Sequence, residues 1–288
     1  MPKPDWIRTQ IGAGKNYLKI RTVLSKNRLH TVCEEAHCPN LGECWMNNHL
    51  TFILLGNICT RHCKFCSVRT GKHGSLLDTT EPARIAQVVH ELGLKYVVLT
   101  SVTRDDLPDE GANHFAETIT LITHYSPHTT IECLVPDFNG RRELIENVLD
   151  ARPNIFAHNI ETVKRITPTV RDAKSSYIKS LTTLKTARNI IHEKDYNIYL
   201  KSSIMVGLGE SNLEIHETIA ELAKTGCDIL TIGQYLQSSK TALKVQRYVL
   251  PEEFVELKNY AHTVGIKFVF SSPLMRSSYL PVTGNIVT

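Results

Sequence analysis

The stretch TFILLGNICTRHCKFC, residues 51–66, joins an apolar run directly to three closely spaced cysteines. Its first six residues, TFILLG, predict a buried β-strand that ends at a glycine. Cys59, Cys63 and Cys66 follow at spacings of four and three residues, in what we expect to be the loop after this strand. In a parallel sheet such a loop lies at the carboxyl ends of the strands, where the chemistry of these folds takes place.

The strand-like pattern recurs along the rest of the chain and alternates with helix-like segments. Further strands are predicted at 96–100, 130–135, 154–158, 197–207, 227–233 and 266–270, and helices at 81–93, 111–124, 140–150, 174–194, 211–225 and 251–264. This alternation indicates an α/β fold with a parallel sheet covered by helices. We expect a partial TIM-type (β/α)6 barrel, with a doubly wound open sheet as the alternative.

Three regions are predicted within this architecture. Residues 1–50 form an N-terminal extension, residues 51–270 form the barrel, and residues 271–288 form a C-terminal segment. We expect the two terminal regions to cover the mouth of the barrel.

Composition restricts the classes of partner. The 288 residues contain 33 Lys and Arg against 29 Asp and Glu, a net charge of +4 that does not by itself indicate nucleic-acid binding. No run approaches the roughly 20 apolar residues of a membrane span, and the N-terminus lacks an apolar signal core. We therefore expect a cytoplasmic protein without nucleic-acid or membrane partners.

The first 30 residues are unevenly charged, with Asp5 as their one acidic residue. Their basic residues are Lys3, Arg8, Lys15, Lys19, Arg21, Lys26 and Arg28. A solvated basic arm and a docking surface for an acidic partner protein are both consistent with this pattern.

Six of the eight cysteines lie between residues 33 and 66, because a second trio precedes the first. The segment CEEAHCPNLGEC supplies Cys33, Cys38 and Cys44. In a reducing compartment, clustered cysteines bind metal or do redox chemistry more often than they form disulfides. Three thiolates leave one coordination position of a cluster open, whereas a zinc knuckle completed by His62 or another residue is the structural alternative. Cys133 and Cys227 lie in apolar runs and are predicted to be buried.

The spacing C-x-x-x-C-x-x-C after the first strand resembles the signature of the radical S-adenosylmethionine superfamily. The resemblance implies that Cys59, Cys63 and Cys66 hold a 4Fe–4S cluster whose open iron binds S-adenosylmethionine. An electron from the reduced cluster then splits the bound sulfonium and gives a 5′-deoxyadenosyl radical, which can remove hydrogen from an unactivated carbon.

The second trio narrows the resemblance to the lipoyl synthase family. Similar segments continue along the chain: GNICTRHCKFCSV, TSVTRDDLPDEGANHF, ECLVPDF, HNIETV, SSIMVGLGE, TIGQYLQ and PLMRSSY. This resemblance implies a second 4Fe–4S cluster on Cys33, Cys38 and Cys44, with Ser278 of the R-S-S-Y motif as its fourth ligand. The seven ligands are thus assigned catalytic roles, and the second cluster is expected to be consumed as the sulfur donor.

The implied activity is that of a sulfurtransferase that inserts sulfur at C6 and C8 of an octanoyl chain. The chain would be bound to a lysine of a lipoyl carrier domain or of a glycine cleavage H protein. The other implied partners are an electron donor such as ferredoxin or flavodoxin, and an iron–sulfur carrier that rebuilds the spent cluster.

Several residues at predicted strand ends are candidates for binding S-adenosylmethionine. They are Thr100, Ser101, Asn159, Glu161, Arg171, Met205 and Gly207. Gly207 would let the adenine approach the backbone, and Arg171 would pair with the carboxylate. Strand-end caps, a surface salt bridge and an ordinary loop are the structural alternatives. Asp105 and Asp106 are adjacent, so we expect helix-start or loop roles for them.

The chain departs from the family pattern at four places. It reads AHN at 157–159 where NHN is usual, and QYLQSS where QYLQPS is usual. It then reads KTALKVQRYV where a histidine-containing stretch is usual, and LPVTGNIVT follows the R-S-S-Y motif. These differences do not touch the seven expected cluster ligands. The alternatives from other classes are a non-catalytic iron–sulfur carrier and a zinc-binding protein, and within the superfamily another two-cluster sulfur-insertion enzyme.

Overall fold

The computed structural model describes residues 3–7, 15–35, 38 and 40–278. The helices are α1 (Lys15–Lys26), α2 (Val32–Glu35), α3 (Leu41–Met46), α4 (Glu81–Leu92), α5 (Ala112–Tyr125), α6 (Arg142–Asp150), α7 (Thr167–Val170), α8 (Tyr177–Glu193), α9 (Asn212–Lys224) and α10 (Pro251–Thr263), with a short 3-10 helix at Phe138–Gly140. The strands are β1 (His30–Thr31), β2 (Leu50–Leu54), β3 (Ile58–Cys59), β4 (Arg69–Thr70), β5 (Tyr96–Ser101), β6 (Thr130–Leu134), β7 (Ile155–Ala157), β8 (Tyr199–Val206), β9 (Ile229–Gln234) and β10 (Phe268–Ser272).

The long helices begin and end where their sequences indicate. At the start of α9, the Ser211 side chain accepts a hydrogen bond from the Glu214 N–H, and the Glu214 carboxylate accepts one from the Ser211 N–H. This reciprocal capping box satisfies two N–H groups that have no partner within the helix. Helix α4 ends at Gly93, whose φ of 60° favours glycine.

The main sheet is a partial barrel. Its strand order is β1-β2-β5-β6-β7-β8-β9-β10, and all neighbours are parallel except β1 and β2. From β2 to β10 the order follows the chain without reversal, which is the winding of a (β/α) barrel and excludes a doubly wound sheet. Within the described residues β10 does not pair with β2, so the sheet stays open. The predicted α/β partial TIM-type barrel is confirmed, as six strand–helix units followed by a seventh parallel strand.

Alternation along the strands divides their side chains between two faces. One face, which includes Val97, Leu99 and Phe156, packs in the main core with apolar residues of the surrounding helices. The other face carries a smaller apolar cluster around Ile155 and Ile229. Burying charged side chains on this face costs free energy unless they are paired. Lys201 and Glu132 form such a pair: Lys201 Nζ lies 2.6 Å from a Glu132 oxygen, and both side chains are almost fully buried. Tyr96 also donates a hydrogen bond to Glu132.

The N-terminal region contributes structure that the sequence pattern did not predict, namely α1, β1, α2 and α3. The predicted boundaries at residues 50 and 270 stay predictions, while β1 of the N-terminal region joins the sheet. Arg8, Tyr279 and the tail beyond it lie outside the described residues. In the described part of the chain, none of the helices combines the length and apolar character needed to cross a membrane.

Candidate functional site

The first cysteine trio lies on a closed loop beyond the carboxyl end of β2. Strands β3 and β4 pair through Ile58–Arg69 and Cys59–Thr70, and they hold the two ends of this loop together. The Lys64 N–H donates to the carbonyl of Val170 at 2.9 Å, which fixes the middle of the loop to the segment after β7. The loop position predicted from the sequence is thus observed.

Backbone N–H groups point at two of the three sulfurs. The Thr103 N–H lies 3.3 Å from Cys59 Sγ, and the Asp172 N–H lies 3.4 Å from Cys63 Sγ. Such N–H donors stabilise thiolates and tune the potentials of iron–sulfur clusters. Cys66 is exposed and Cys59 and Cys63 are partly buried. The ring of His62 lies beside Thr70, with Nδ1 3.2 Å from the Thr70 hydroxyl.

Arg61, between Cys59 and Cys63, is buried and binds two carboxylates from different loops. Its Nη1 lies 2.7 Å from Asp137, after β6, and its Nη2 lies 2.8 Å from Asp105, after β5. Asp106 instead pairs with Arg104. The two aspartates therefore have different roles in the loop after β5. Asp105 binds the cysteine loop through Arg61, whereas Asp106 stabilises the loop after β5 itself through Arg104.

Three candidates for binding S-adenosylmethionine form one group beside this loop. Asn159 Nδ2 lies 3.1 Å from Glu161 Oε1, and Arg171 directly precedes the residue whose N–H points at Cys63. Burial raises the pKa of Glu161, while the Arg171 charge and the Asn159 hydrogen bond oppose the rise. Glu161 also has a φ of 69°, a left-handed conformation that costs energy in a residue with a side chain.

Two buried polar atoms of the candidates have no hydrogen-bond partner in the described structure, Ser101 Oγ and Arg171 Nε. Such atoms are costly unless a ligand satisfies them. The site therefore fits a polar ligand such as the amino-acid end of S-adenosylmethionine. Thr100 differs, because its hydroxyl already donates to the Leu134 carbonyl at 2.9 Å.

Met205 and Gly207 lie near the carboxyl end of β8, as predicted. The structure shows why position 207 requires a glycine, and the cause differs from the expected approach of adenine. A Cβ there would lie 2.2 Å from the Gln234 side chain and 2.4 Å from the Arg247 carbonyl oxygen. With a φ of 98°, the position also has a backbone conformation that favours glycine.

The second cysteine trio and Ser278 line one small cavity. The full lining consists of Val32, Cys33, Cys38, Asn40, Cys44, His49, Thr51, Arg276 and Ser278. Three thiols and a hydroxyl from opposite ends of the chain thus face the same space. This donor set fits a 4Fe–4S cluster with three thiolates and one weaker oxygen ligand.

Two contacts assemble this cavity from the chain ends. Asn40 Nδ2 donates to the Leu274 carbonyl at 2.8 Å, across 234 positions of sequence. Gly233 allows the segment after β10 to cross β9, since a Cβ at this glycine would lie 2.1 Å from the Met275 carbonyl oxygen. We call residues 273–278 the C-terminal strap.

The two cysteine trios are neighbours. The Ser67 hydroxyl, one residue beyond Cys66, donates to the Glu35 carbonyl at 3.1 Å. Glu35 lies two residues beyond Cys33. The two loops therefore touch, as chemistry shared between two clusters would require.

Burial raises the pKa of the Cys33 thiol to about 12, although the neighbouring Trp45 indole opposes the rise. A metal must therefore displace protons from these thiols when it binds. Among the described residues, no three His, Cys, Asp or Glu side chains are grouped to hold a single metal ion. Ligands of a four-iron cluster bind different irons, so they need not converge on one point.

Sequence reasoning missed the residues that support the two sites. Arg61 lies inside the cysteine motif, and Arg276 immediately precedes the two serines. A basic residue inside a short ligand motif is a usable signal. No local pattern indicates Asn40, whose partner lies at the other end of the chain.

Two family models match the chain. The Radical SAM superfamily matches residues 53–223, and the N-terminal domain of lipoyl synthase of the Radical SAM family matches residues 2–38. The chain is 49% identical over 278 residues to lipoyl synthase of Caldicellulosiruptor saccharolyticus, which covers 96% of this chain and 95% of that protein. It is 47% identical over 277 residues to lipoyl synthase of Thermus thermophilus, with 96% and 84% covered.

Similar solved structures support the fold alone. The FeFe-hydrogenase maturase HydG from Carboxydothermus hydrogenoformans has a TM-score of 0.57 at 14% identity, with 91% of this chain and 75% of that chain covered. Methylornithine synthase has a TM-score of 0.52 at 14% identity, with 96% and 86% covered. From the sequence matches, this chain belongs to the lipoyl synthase family of radical S-adenosylmethionine enzymes, whose cofactors are S-adenosylmethionine and 4Fe–4S clusters.

Proposed function

We propose that this chain inserts two sulfur atoms at C6 and C8 of an octanoyl chain bound to a lysine of a lipoyl carrier domain. The observation that carries the proposal is the shared cavity of Cys33, Cys38, Cys44 and Ser278 beside the first cysteine loop. A non-catalytic electron carrier has no need for a hydroxyl ligand, which binds cluster iron poorly.

Each cysteine loop has a separate role in this proposal. Cys59, Cys63 and Cys66 hold the cluster that leaves one iron open. Cys33, Cys38, Cys44 and Ser278 hold the cluster that is spent as the sulfur substrate. When bound, the first cluster and S-adenosylmethionine together supply the radical that removes hydrogen from the octanoyl carbons.

The protein's own groups position the cofactor and exclude water. Arg171 Nε and Ser101 Oγ, both buried without partners in the described structure, would satisfy the carboxylate and amino groups of S-adenosylmethionine. Asn159 and Glu161 would bind the same ligand, with Glu161 fixed by the Met205 N–H, which donates to its carbonyl at 2.9 Å. The Thr103 and Asp172 N–H groups would stabilise the thiolates of the loop.

The protein partners are part of the proposal. The substrate is an octanoylated carrier domain or a glycine cleavage H protein, the reductant a ferredoxin or flavodoxin, and the cluster is rebuilt by an iron–sulfur carrier. The helix α1 carries exposed Lys19, Arg21 and Lys26, and it has no acidic residue. This charge would favour an acidic carrier. A cytoplasmic location fits the same partners.

The test is anaerobic reconstitution and turnover with an octanoyl-lysine peptide, S-adenosylmethionine and a reductant, followed by mass spectrometry. We expect about eight irons and eight sulfides per chain, as two four-iron clusters require. Cys59→Ala should abolish 5′-deoxyadenosine, because the radical cluster is lost. Cys38→Ala should still form 5′-deoxyadenosine but no thiolated peptide.

The matched control is Cys227→Ala. Cys227 is buried in the core, and its thiol donates to the Ile229 carbonyl at 3.1 Å, away from both cysteine loops. The Cys227→Ala variant should have the same iron content as the parent and form the same amount of thiolated peptide. Zinc without sulfide in the reconstituted protein, or full thiolation by Cys38→Ala, would contradict the proposal.

A further inference from the structure

Arg276 lines the cavity of the second cysteine trio together with Ser278. Its Nη1 donates to the carbonyl of Met275 at 2.6 Å and to that of Gln234 at 3.3 Å. Its Nη2 is buried and has no hydrogen-bond partner in the described structure. A buried guanidinium N–H without a partner is costly, so a ligand in the cavity is expected to accept from it.

The negative charge that a cluster would bring into the cavity also requires a positively charged partner. Three thiolates and a serine oxygen bring more negative charge than the core of a four-iron cluster neutralises, and buried charge needs a partner. Of the described lining residues, Arg276 alone carries a permanent positive charge. His49 also lines the cavity, but burial lowers its pKa and favours the neutral ring.

Arg276 and Cys38 line the same cavity as Cys33, Cys44 and Ser278. A cluster held there by the three thiols would therefore lie beside the guanidinium of Arg276.

We propose that Arg276 donates a hydrogen bond from Nη2 to the cluster held by the second cysteine trio and compensates the negative charge of that cluster. The inference rests on the proposed function, since it requires a cluster on the second trio. It gives the arginine of the R-S-S-Y motif an electrostatic role that is separate from anchoring the strap. Through that role it sets the reduction potential of the cluster that donates sulfur.

A purely structural role is the competing explanation. Arg276 is two residues before Ser278, and its Nη1 hydrogen bond to the Gln234 carbonyl holds the C-terminal strap to the end of β9. Loss of activity in a variant would not separate the two roles. The reduction potential does, because it responds to the charge and hydrogen bonds around the cluster.

The experiment uses the full chain with Cys59, Cys63 and Cys66 replaced by Ala, so that the second cluster alone contributes to the spectrum. Arg276→Gln, Arg276→Lys and the control Arg142→Gln are made in this background. Arg142 is on the outer helix α6 and pairs with Glu193 in solvent. Each protein is reconstituted without oxygen, its iron and sulfide are measured, and its cluster is titrated with reductant and followed by electron paramagnetic resonance.

We expect Arg276→Gln to lower the midpoint potential, because reduction adds negative charge that the variant no longer compensates. At the parent's midpoint, the ratio of reduced to oxidised cluster should fall at least ten-fold, about 59 mV for one electron. Arg276→Lys keeps the charge but not the fork of donors, so its shift should be smaller. Arg142→Gln should match the parent.

Each outcome decides one point. Equal midpoints in Arg276→Gln and the parent would overturn the inference. If Arg276→Gln does not hold a cluster, retention by Arg276→Lys supports charge compensation, whereas equal loss from both variants with unchanged circular dichroism overturns it in favour of strap anchoring. If the parent background itself carries no iron and sulfide, the proposed function fails instead.

Discussion

Replacing Arg61 by Gln tests how the radical loop is held. Arg61 is the positive centre between Asp105 and Asp137, whose side chains are 10% and 0% exposed. Removal of the guanidinium leaves the Asp137 carboxylate buried beside a neutral amide. Breaking a buried pair in this way costs about 3–5 kcal/mol. Asp105 should contribute less of this cost, because it is partly exposed and also pairs with Lys174.

The loss in free energy of unfolding caused by Arg61→Gln should become smaller as the pH falls. In the parent, burial alone would raise the pKa of Asp137, but its hydrogen bonds with Arg61 and the Arg61 charge lower it overall. This depressed pKa stabilises the fold above the unfolded value of about 3.9, and the stabilisation is lost as pH falls through the folded value. In Arg61→Gln the same burial is uncompensated, so the pKa of Asp137 is raised and the carboxylate takes up a proton above pH 4. The difference in free energy of unfolding between the parent and Arg61→Gln should therefore decrease from neutral pH towards about pH 4.

The assay is urea unfolding of the metal-free protein under reducing conditions, followed by far-ultraviolet circular dichroism between neutral pH and pH 4. Arg142→Gln, which removes a solvent-exposed guanidinium, should show no measurable change. The double variant Arg61→Gln with Asp137→Asn should recover at least half of the loss, because no buried charge remains. A loss below about 1 kcal/mol at neutral pH, or a gap that does not change with pH, would refute the account.

Two further predictions concern the strap and the buried histidine. Gly233→Ala should displace the strap, because the new Cβ would lie 2.1 Å from a backbone oxygen. Iron should fall from about eight to about four per chain while 5′-deoxyadenosine formation is retained, and Gly93→Ala, with open space around its Cβ, should keep both clusters. His158→Gln should remove part of the acid sensitivity of folding. Burial lowers the pKa of His158 to about 4, against 6.5 ordinarily, so the unfolded chain gains the proton first and the parent should lose up to about 3 kcal/mol as pH falls from 6.5 to 4. The histidine prediction would be contradicted if the free energy of unfolding in urea changed equally with pH in the parent and in His158→Gln. The strap prediction would be contradicted if Gly233→Ala kept its full iron content.

The sequence predicted what local patterns determine. The seven parallel strands and six main helices were found because alternation and capping residues act over a few positions, as at Ser211 and Gly93. Cys59 was assigned to a loop at the carboxyl end of a strand for the same reason. The resemblance supplied the role of Ser278, which a reading of the C-terminal sequence without it would have treated as an ordinary turn.

The remainder depends on contacts between distant segments. Asn40 meets the Leu274 carbonyl across 234 positions, and Arg61 meets carboxylates that follow two other strands. No periodicity encodes such pairs, because each partner alone has the composition of a polar loop. Gly207 illustrates the same limit, since the atoms that require a glycine belong to Gln234 and Arg247.

The open sheet explains why the second cysteine site lies where it does. In a closed barrel the first and last strands pair with each other, and their edges have no room for a ligand. Here β1 pairs antiparallel with β2, and α2 with Cys33 follows it directly. Thr51 of β2 and Ser278 of the strap after β10 then line the same cavity. The seventh parallel strand ends in the strap instead of closing the sheet, so the gap that a complete barrel would fill becomes the place where both chain ends can meet around a cluster.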